Sequence, residues 1–153
     1  MATGLSNKLA GQTGEYLVAA ELSRQGLIAT TFTGNVPHYD IIASDATGRH
    51  VSVQVKASRG GSWQFGDLRH YCDVTFKGKR QVVGKPKTCP VRRLVVVFVS
   101  ITKDRNDRFY VLTWQRLRDL LIRDRRDMET IVASLMQLWD SGLADQAAET
   151  LKT

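Results

Sequence analysis

Hydrophobic and polar residues alternate without interruption from His50 to Ser58, which is the clearest pattern in the chain. Successive side chains of a β-strand point to opposite faces, so the alternation predicts a strand with one apolar and one polar face. The apolar face carries Val51, Val53, Val55 and Ala57, and the polar face carries Ser52, Gln54, Lys56 and Ser58. A slip of one residue would bury Lys56 and expose the valines, so the register is well determined.

Similar patterns predict the elements around this strand. A broad apolar stripe that includes Leu9, Tyr16 and Val18 predicts a helix from about Asn7 to Gln25. The other predicted strands are Leu27–Thr33, Tyr39–Ala43, Leu94–Ile101 and Arg108–Thr113, and further helices are predicted from Trp114 to about Arg123 and from Met128 to Asp140. This order indicates an α/β fold with a central mixed β-sheet flanked by helices.

Composition favours one intracellular globular domain over residues 1–153. The charged fraction of 24% and the hydrophobic fraction of 42% are typical of a folded protein. No apolar run approaches the roughly 20 residues of a membrane span, and the N-terminus lacks the pattern of a secretory signal. Two cysteines are too few for a disulfide framework, so we expect a cytoplasmic, non-secreted protein without a membrane partner.

The net charge of +7 is concentrated in one Gly-rich stretch, residues 59–93, which we call the basic segment. It contains nine basic and two acidic residues, whereas basic and acidic residues balance in the rest of the chain. This distribution predicts a polyanionic partner. The alternative interpretation is a solvated loop whose lysines only keep the protein soluble.

A candidate catalytic set surrounds the polar face of the alternating strand. Asp40 precedes Gln54 by fourteen residues, and Lys56 shares a predicted face with Gln54. An acid, then a short hairpin, then a polar residue and a lysine two residues apart on one strand face is the layout of a metal-dependent site that hydrolyses phosphodiesters. Gln54 occupies the position where such a site normally has a second carboxylate, and Glu15, on the apolar side of the first helix, is a candidate to replace it.

Oxygen ligands are what Mg²⁺ prefers, and Asp40, Gln54 and the Val55 carbonyl could supply them. The Lys56 ammonium could orient the attacking water or stabilise negative charge on the phosphate. Simpler interpretations remain open: the polar face could be the wet side of a half-exposed sheet, and Glu15 could form a salt bridge with Lys8 or Arg24.

Three segments resemble the PD-(D/E)xK nuclease superfamily: Gly14-Glu15, Pro37-His38-Tyr39-Asp40 and Gln54-Val55-Lys56-Ala57-Ser58. The glutamine variant is similar to that of certain intron-encoded homing endonucleases. The resemblance implies a restriction-endonuclease-like core, Mg²⁺ with Mn²⁺ as an expected substitute, and catalysis by Glu15, Asp40, Gln54 and Lys56. It assigns metal binding to Asp40, Gln54 and the Val55 carbonyl, catalytic support to Lys56 and an auxiliary acidic role to Glu15, which we also count among the expected metal ligands. This chain departs from the pattern in Gln54 and in having Pro37 three residues before the acid.

The leading hypothesis is therefore a Mg²⁺-dependent DNA endonuclease that acts as a homodimer or higher homo-oligomer. A Holliday-junction resolvase, a catalytically silent nucleic-acid-binding module and a protein-interaction domain are the alternatives. The candidate DNA-binding residues are Ser58, Arg59, Arg69, Lys77, Lys79, Arg80, Lys85 and Lys87.

Two further groups in the basic segment have open interpretations. The aromatic residues Trp63, Phe65 and Tyr71 could stack on bases or form a small core. His70, Cys72 and Cys89 could suggest zinc, but a structural zinc site needs four ligands and the sequence offers no fourth, so we expect ordinary thiols.

Overall fold

The computed structural model describes residues 4–60, 63 and 67–123. The elements in chain order are α1 (Gly4–Arg24), β1 (Ile28–Thr31), β2 (Ile41–Ser44), β3 (His50–Ser58), β4 (Cys72–Lys77), β5 (Arg80–Pro86), β6 (Leu94–Ser100), β7 (Arg108–Thr113) and α2 (Trp114–Arg123). The predicted helix at Met128–Asp140 lies outside the described residues.

Five strands form the central sheet in the order β1-β2-β3-β6-β7, while β4 and β5 form a separate two-stranded sheet. The central sheet is mixed, because β3 and β6 are parallel and the other neighbours are antiparallel. The predicted α/β class with a central mixed sheet and flanking helices is confirmed. No helix of the described ranges is long and apolar enough to cross a membrane.

Each face of the central sheet is covered by a different part of the chain. Apolar residues of α1 pack on the face formed by alternate residues of β2, β3, β6 and β7. On the other face, α2 and part of the basic segment pack on β6 and β7. All six residues from Leu94 to Val99 are buried, as expected for a central strand with both faces covered.

The buried face of α1 differs from the predicted apolar stripe. Ala10, Gly14 and Val18, spaced four residues apart, are buried. Leu9 and Tyr16 are 47% and 57% exposed, so their predicted place on the buried stripe was wrong. The small residues at this spacing let the helix backbone approach the sheet, and this close approach decides which face turns inward.

The basic segment is the crossover between the parallel strands β3 and β6, and it contributes to the core. Trp63 and Tyr71 are buried, so of the two interpretations left open for them the structure supports a place in the core over base stacking. The Trp63 ring packs edge-on against Phe98 and Tyr110, and its Nε1 donates to the Val99 carbonyl at 3.1 Å. Phe65 lies outside the part of the chain that the structure describes.

Candidate functional site

The candidate site lies along the second half of β3, on the edge where β2 pairs with the first half of the strand. No described strand pairs with this part of the edge. β2 pairs with residues 50–53 of β3 and begins at Ile41. Residues 54–58 continue alongside β6 on the other edge of β3. Beyond the start of β2, the edge of β3 makes no ladder of hydrogen bonds with β2. Its backbone and side-chain groups can therefore contribute to a site.

Asp40 is fixed at this edge by two hydrogen bonds. Its backbone N–H donates to the Val53 carbonyl at 2.8 Å, and its Oδ2 accepts the Val55 N–H at 2.7 Å. The sequence prediction placed Asp40 inside a strand, whereas β2 begins one residue later. The reason is that the carboxylate, rather than a backbone carbonyl, accepts the next N–H of β3.

The backbone of Val55 also faces the site. In a strand, the N–H and C=O of one residue point to the same edge, and residues two apart share that edge. The Val53 carbonyl and the Val55 N–H both bond Asp40, so the Val55 carbonyl is directed to the same side. The Val55 carbonyl therefore lies at the same edge of β3 as Asp40.

Glu15 directly follows Gly14, where α1 packs closely on β3. A Cβ placed on Gly14 would lie 2.4 Å from the Cβ of Ala57, so the helix and strand backbones approach closely at this point. Burial raises the pKa of the half-buried Glu15, and the negative charge of Asp40 raises it further. Glu15 therefore lies within the electrostatic field of Asp40.

Lys56 is electrostatically coupled to the same carboxylate. Burial lowers the pKa of Lys56, and the charge of Asp40 opposes this shift. Burial also raises the pKa of Asp40, against the opposing effects of the Val55 N–H and the Lys56 ammonium. Since the charge of Asp40 affects the pKa values of both Glu15 and Lys56, we treat the three as one electrostatically coupled cluster.

Gln54 directly follows Val53, the last residue of β3 that pairs with β2. It shares a face with Lys56, about 7 Å along the strand. Gln54 and Lys56 are half-buried and Ser52 is 5% exposed. The polar face is therefore partly covered rather than fully wet.

The oxygen donors at the site are two carboxylates, one amide and one backbone carbonyl. Within the described ranges, no group of three or more His, Cys, Asp or Glu residues converges as a metal site. The thiols instead contact backbone carbonyls: Cys72 donates to Leu68 and Cys89 donates to Val91.

The candidate DNA-binding residues divide by position. Ser58 and Arg59 lie where β3 ends. Four exposed cations lie within the β4–β5 hairpin: Lys77, Lys79, Arg80 and Lys85. The other two make contacts within the chain. Arg69 bonds Asp67 at 2.7 Å, and the Lys87 Nζ donates to the Arg69 carbonyl at 2.6 Å.

A cavity of about 570 Å³ opens at the carboxyl ends of the parallel strands β3 and β6. Its lining residues are Arg59, Gly60, Ser100, Ile101, Thr102 and Lys103. Lys103 is absent from the sequence-based candidates, because only the pairing of β3 with β6 brings it beside Arg59. Carboxyl ends of parallel strands are a common place for ligands in open α/β sheets.

The fold and the site define an α/β domain with a cluster of oxygen donors and a half-buried lysine at an uncovered strand edge. No family model and no curated protein matches the chain. Among solved structures, it is similar to a bacterial homing endonuclease, I-Ssp6803I, at 18% sequence identity and a TM-score of 0.47. The similarity covers 74% of this chain and 73% of that one.

Proposed function

We propose that this chain is a metal-dependent DNA endonuclease with a restriction-endonuclease-like core. The observation that carries the proposal is the cluster around Asp40. Its carboxylate is fixed by the Val55 N–H and interacts electrostatically with both Glu15 and Lys56. Such an arrangement of carboxylates beside a lysine suits the hydrolysis of an anionic phosphodiester.

The donor set fits Mg²⁺ or Mn²⁺. Glu15, Asp40, Gln54 and the Val55 carbonyl all offer oxygen, the ligand that these ions prefer. An ionised carboxylate has about four acceptor positions, so the hydrogen bond from Val55 leaves Asp40 able to bind a cation. When bound, the ion would bind a phosphate oxygen and lower the pKa of the attacking water.

Lys56 supplies positive charge where negative charge develops during hydrolysis. Its ammonium is half-buried, which strengthens its electrostatic interactions relative to those in water. It can donate to a phosphate oxygen or hold the attacking water by a hydrogen bond. The Asp40 charge favours the ammonium form and so opposes the effect of burial on the lysine.

The distribution of charge supports DNA as the substrate. The basic segment carries the whole net charge of +7 and joins β3 directly, so it begins where the catalytic strand ends. Arg59 and Lys103 line the cavity at this end. A nucleic-acid backbone that crosses the site would find these cations beside it.

The test is cleavage of supercoiled plasmid in Mg²⁺ or Mn²⁺ by purified protein. We expect Asp40→Ala to abolish nicking and Lys56→Ala to slow it by about 10²- to 10³-fold, as for loss of a group that stabilises the transition state. Glu15→Gln should also reduce cleavage. Its matched control is Glu21→Gln on the same helix, because Glu21 pairs with the exposed Arg24 at 3.5 Å. Cleavage that survives Asp40→Ala and Lys56→Ala unchanged would refute the assignment.

A catalytically silent DNA-binding module is the second candidate. It is favoured by Gln54 in the place of an acid, and by the lack of a third acid beside Glu15 and Asp40 in the described part of the chain. Such a module would bind duplex DNA in a salt-dependent way and would leave it intact with either metal. Comparing four-way junctions with linear duplexes in the same assay tests the resolvase alternative.

A further inference from the structure

The β4–β5 hairpin projects from the domain as a two-stranded ribbon. Its strands pair only with each other among the described strands. A two-residue turn joins them, and Gly78 has a positive φ of 61°, which a tight hairpin turn requires and glycine accepts without strain. A lone ribbon is marginally stable in water, so its base must be held by the rest of the molecule.

Contacts at the base fix the ribbon to α2. The Tyr71 ring stacks on Trp114, with centroids 5.5 Å apart, and Cys72 is fully buried. The Lys87 N–H donates to the Tyr71 carbonyl at 2.8 Å, and Arg118 Nη1 donates to the Lys87 carbonyl at 2.8 Å. The two ends of the ribbon are thus tied together and to the core, while its tip stays in solvent.

The two faces of the tip carry different side chains. Phe76 pairs with Gln81 across the ribbon, so the two side chains share a face. The neighbouring pair, Lys77 and Arg80, lies on the other face. Phe76 is 67% exposed, more than any other large hydrophobic residue whose exposure is described. Phe76 is therefore available for contact with a ligand, on a ribbon that is anchored at its base.

We propose that this ribbon lies in the major groove of duplex DNA and reads base edges with Phe76 and Gln81. The inference rests on the proposed function in taking DNA as the ligand. The major groove is wide enough to admit a two-stranded ribbon. From residue 74 to residue 87 the chain has five basic residues and no acidic one, which matches the charge of the flanking phosphates.

The side-chain chemistry of Phe76 and Gln81 indicates which bases they would contact. A glutamine can bond N6 and N7 of adenine together, and an apolar ring can contact the C5-methyl group of thymine. Both groups are displayed in the major groove by A·T pairs. Phe76 and Gln81 therefore favour neighbouring A·T pairs, while Lys77 and Arg80 on the other face reach phosphates and add affinity without base preference.

The experiment measures binding separately from cleavage. Full-length Asp40→Ala protein is incubated with duplexes that contain a randomised stretch, and bound DNA is sequenced. We expect A·T pairs to be enriched at a fixed position. Adding Gln81→Ala should relax that preference by roughly 5- to 100-fold, and adding Phe76→Ala should weaken it as well. Thr75 lies next to Phe76 but on the other face, so Thr75→Ala is the matched control. It should change neither the preference for A·T pairs nor its position in the target.

A salt titration separates the two faces further. Lys77→Gln should lower the slope of log affinity against log salt by about 0.9 and leave base preference intact. Phe76→Ala should weaken binding without changing the slope. The proposal fails if Phe76→Ala and Gln81→Ala bind the same sequences with unchanged affinity, or if the parent protein shows no DNA binding.

A second copy of this chain is the competing occupant. If Phe76→Ala converts an oligomer to a monomer in sedimentation without DNA and leaves base preference unchanged, the ribbon is a protein interface and the proposal is wrong. Plasmid cleavage by protein with native Asp40 is scored independently. Loss of the ribbon proposal thus leaves the nuclease assignment standing, and absence of cleavage with intact base preference refutes only the nuclease.

Discussion

The carboxylate of Asp40 is subject to opposing influences. Burial raises its pKa, while the Val55 N–H and the Lys56 ammonium lower it, and burial has the larger effect. The pKa of Glu15 is also raised, first by burial and then by the negative charge of Asp40. A cation bound beside these two acids would stabilise their charged forms, so the proposed metal binding would be linked to deprotonation.

We expect metal affinity to depend on pH above the range in which ordinary carboxylates titrate. Asp40 and Glu15 have raised pKa values relative to 3.8 and 4.5. Protons therefore remain on the folded apo protein at a pH where an exposed acid has lost them, and the metal must displace these protons. Mg²⁺ or Mn²⁺ affinity should increase with pH as the two groups ionise. Calorimetry in buffers of different ionisation enthalpy measures both the affinity and the protons released.

The same shifts determine how apo stability depends on pH. Because the folded protein binds these protons more tightly than the unfolded chain, the free energy of unfolding should fall as pH rises from 3.8 through the folded pKa of Asp40. Asp40→Asn should remove this part of the pH dependence, and Glu15→Gln should reduce proton release on metal binding. Metal affinity that is flat over the acid range, with no proton release, would contradict this account.

Elements that depend on local sequence pattern were predicted more accurately than features that depend on contacts between distant parts of the chain. The bounds of β3 and β7 match the predictions His50–Ser58 and Arg108–Thr113, because alternation and local turns determine them. The candidate site rests on similar local signals: the spacing of Asp40, Gln54 and Lys56, and a carboxylate, Glu15, on the apolar side of a helix. The role of these four residues stays a prediction.

Features that depend on distant pairing were missed. The position of Lys103 beside Arg59 requires the parallel pairing of β3 with β6, which local pattern does not specify. The β4–β5 ribbon was read as part of a Gly-rich basic insertion, because its strands carry many lysines and glycines. The buried face of α1 was assigned to larger apolar residues, whereas contact between two backbones at Gly14 decides it.

The two glycines of α1 provide a matched test of that contact. A methyl group at Gly14 would overlap Ala57, at 2.4 Å, whereas one at Gly11 would meet nothing within 4 Å. Gly14→Ala should lower the free energy of unfolding by roughly 1–3 kcal/mol, as for an overpacked core. Gly11→Ala should raise it by about 1 kcal/mol through helix propensity. Urea denaturation of both variants measures the difference.

The effect of Gly14→Ala should extend to function. Displacing α1 from β3 moves Glu15 away from Asp40, so the variant should lose cleavage activity even under conditions in which it is fully folded. Gly11→Ala should cleave DNA as the parent does. If both substitutions stabilise the protein equally, α1 and β3 do not make the close contact described.

At the scale of the whole molecule, the described part of each chain holds one candidate site and one ribbon. A duplex has two antiparallel strands, and two-fold related chains are the simplest way to place one site at each. Each chain would then bring its own basic segment to one half of the target. We therefore propose a homodimer or higher homo-oligomer as the active form and expect the two cuts to come from different chains.

Mixed oligomers test this expectation. Wild-type and Asp40→Ala chains, co-expressed and purified together, should form dimers that bind DNA normally but carry a single working site. Such dimers should nick supercoiled plasmid and linearise it slowly. The linear product should therefore fall roughly as the square of the wild-type fraction, while nicked circles accumulate. Dilution with Glu21→Gln chains, which keep the site intact, is the control and should leave the product ratio unchanged. A product ratio that is also unaffected by Asp40→Ala chains would mean that one chain cuts both strands in turn.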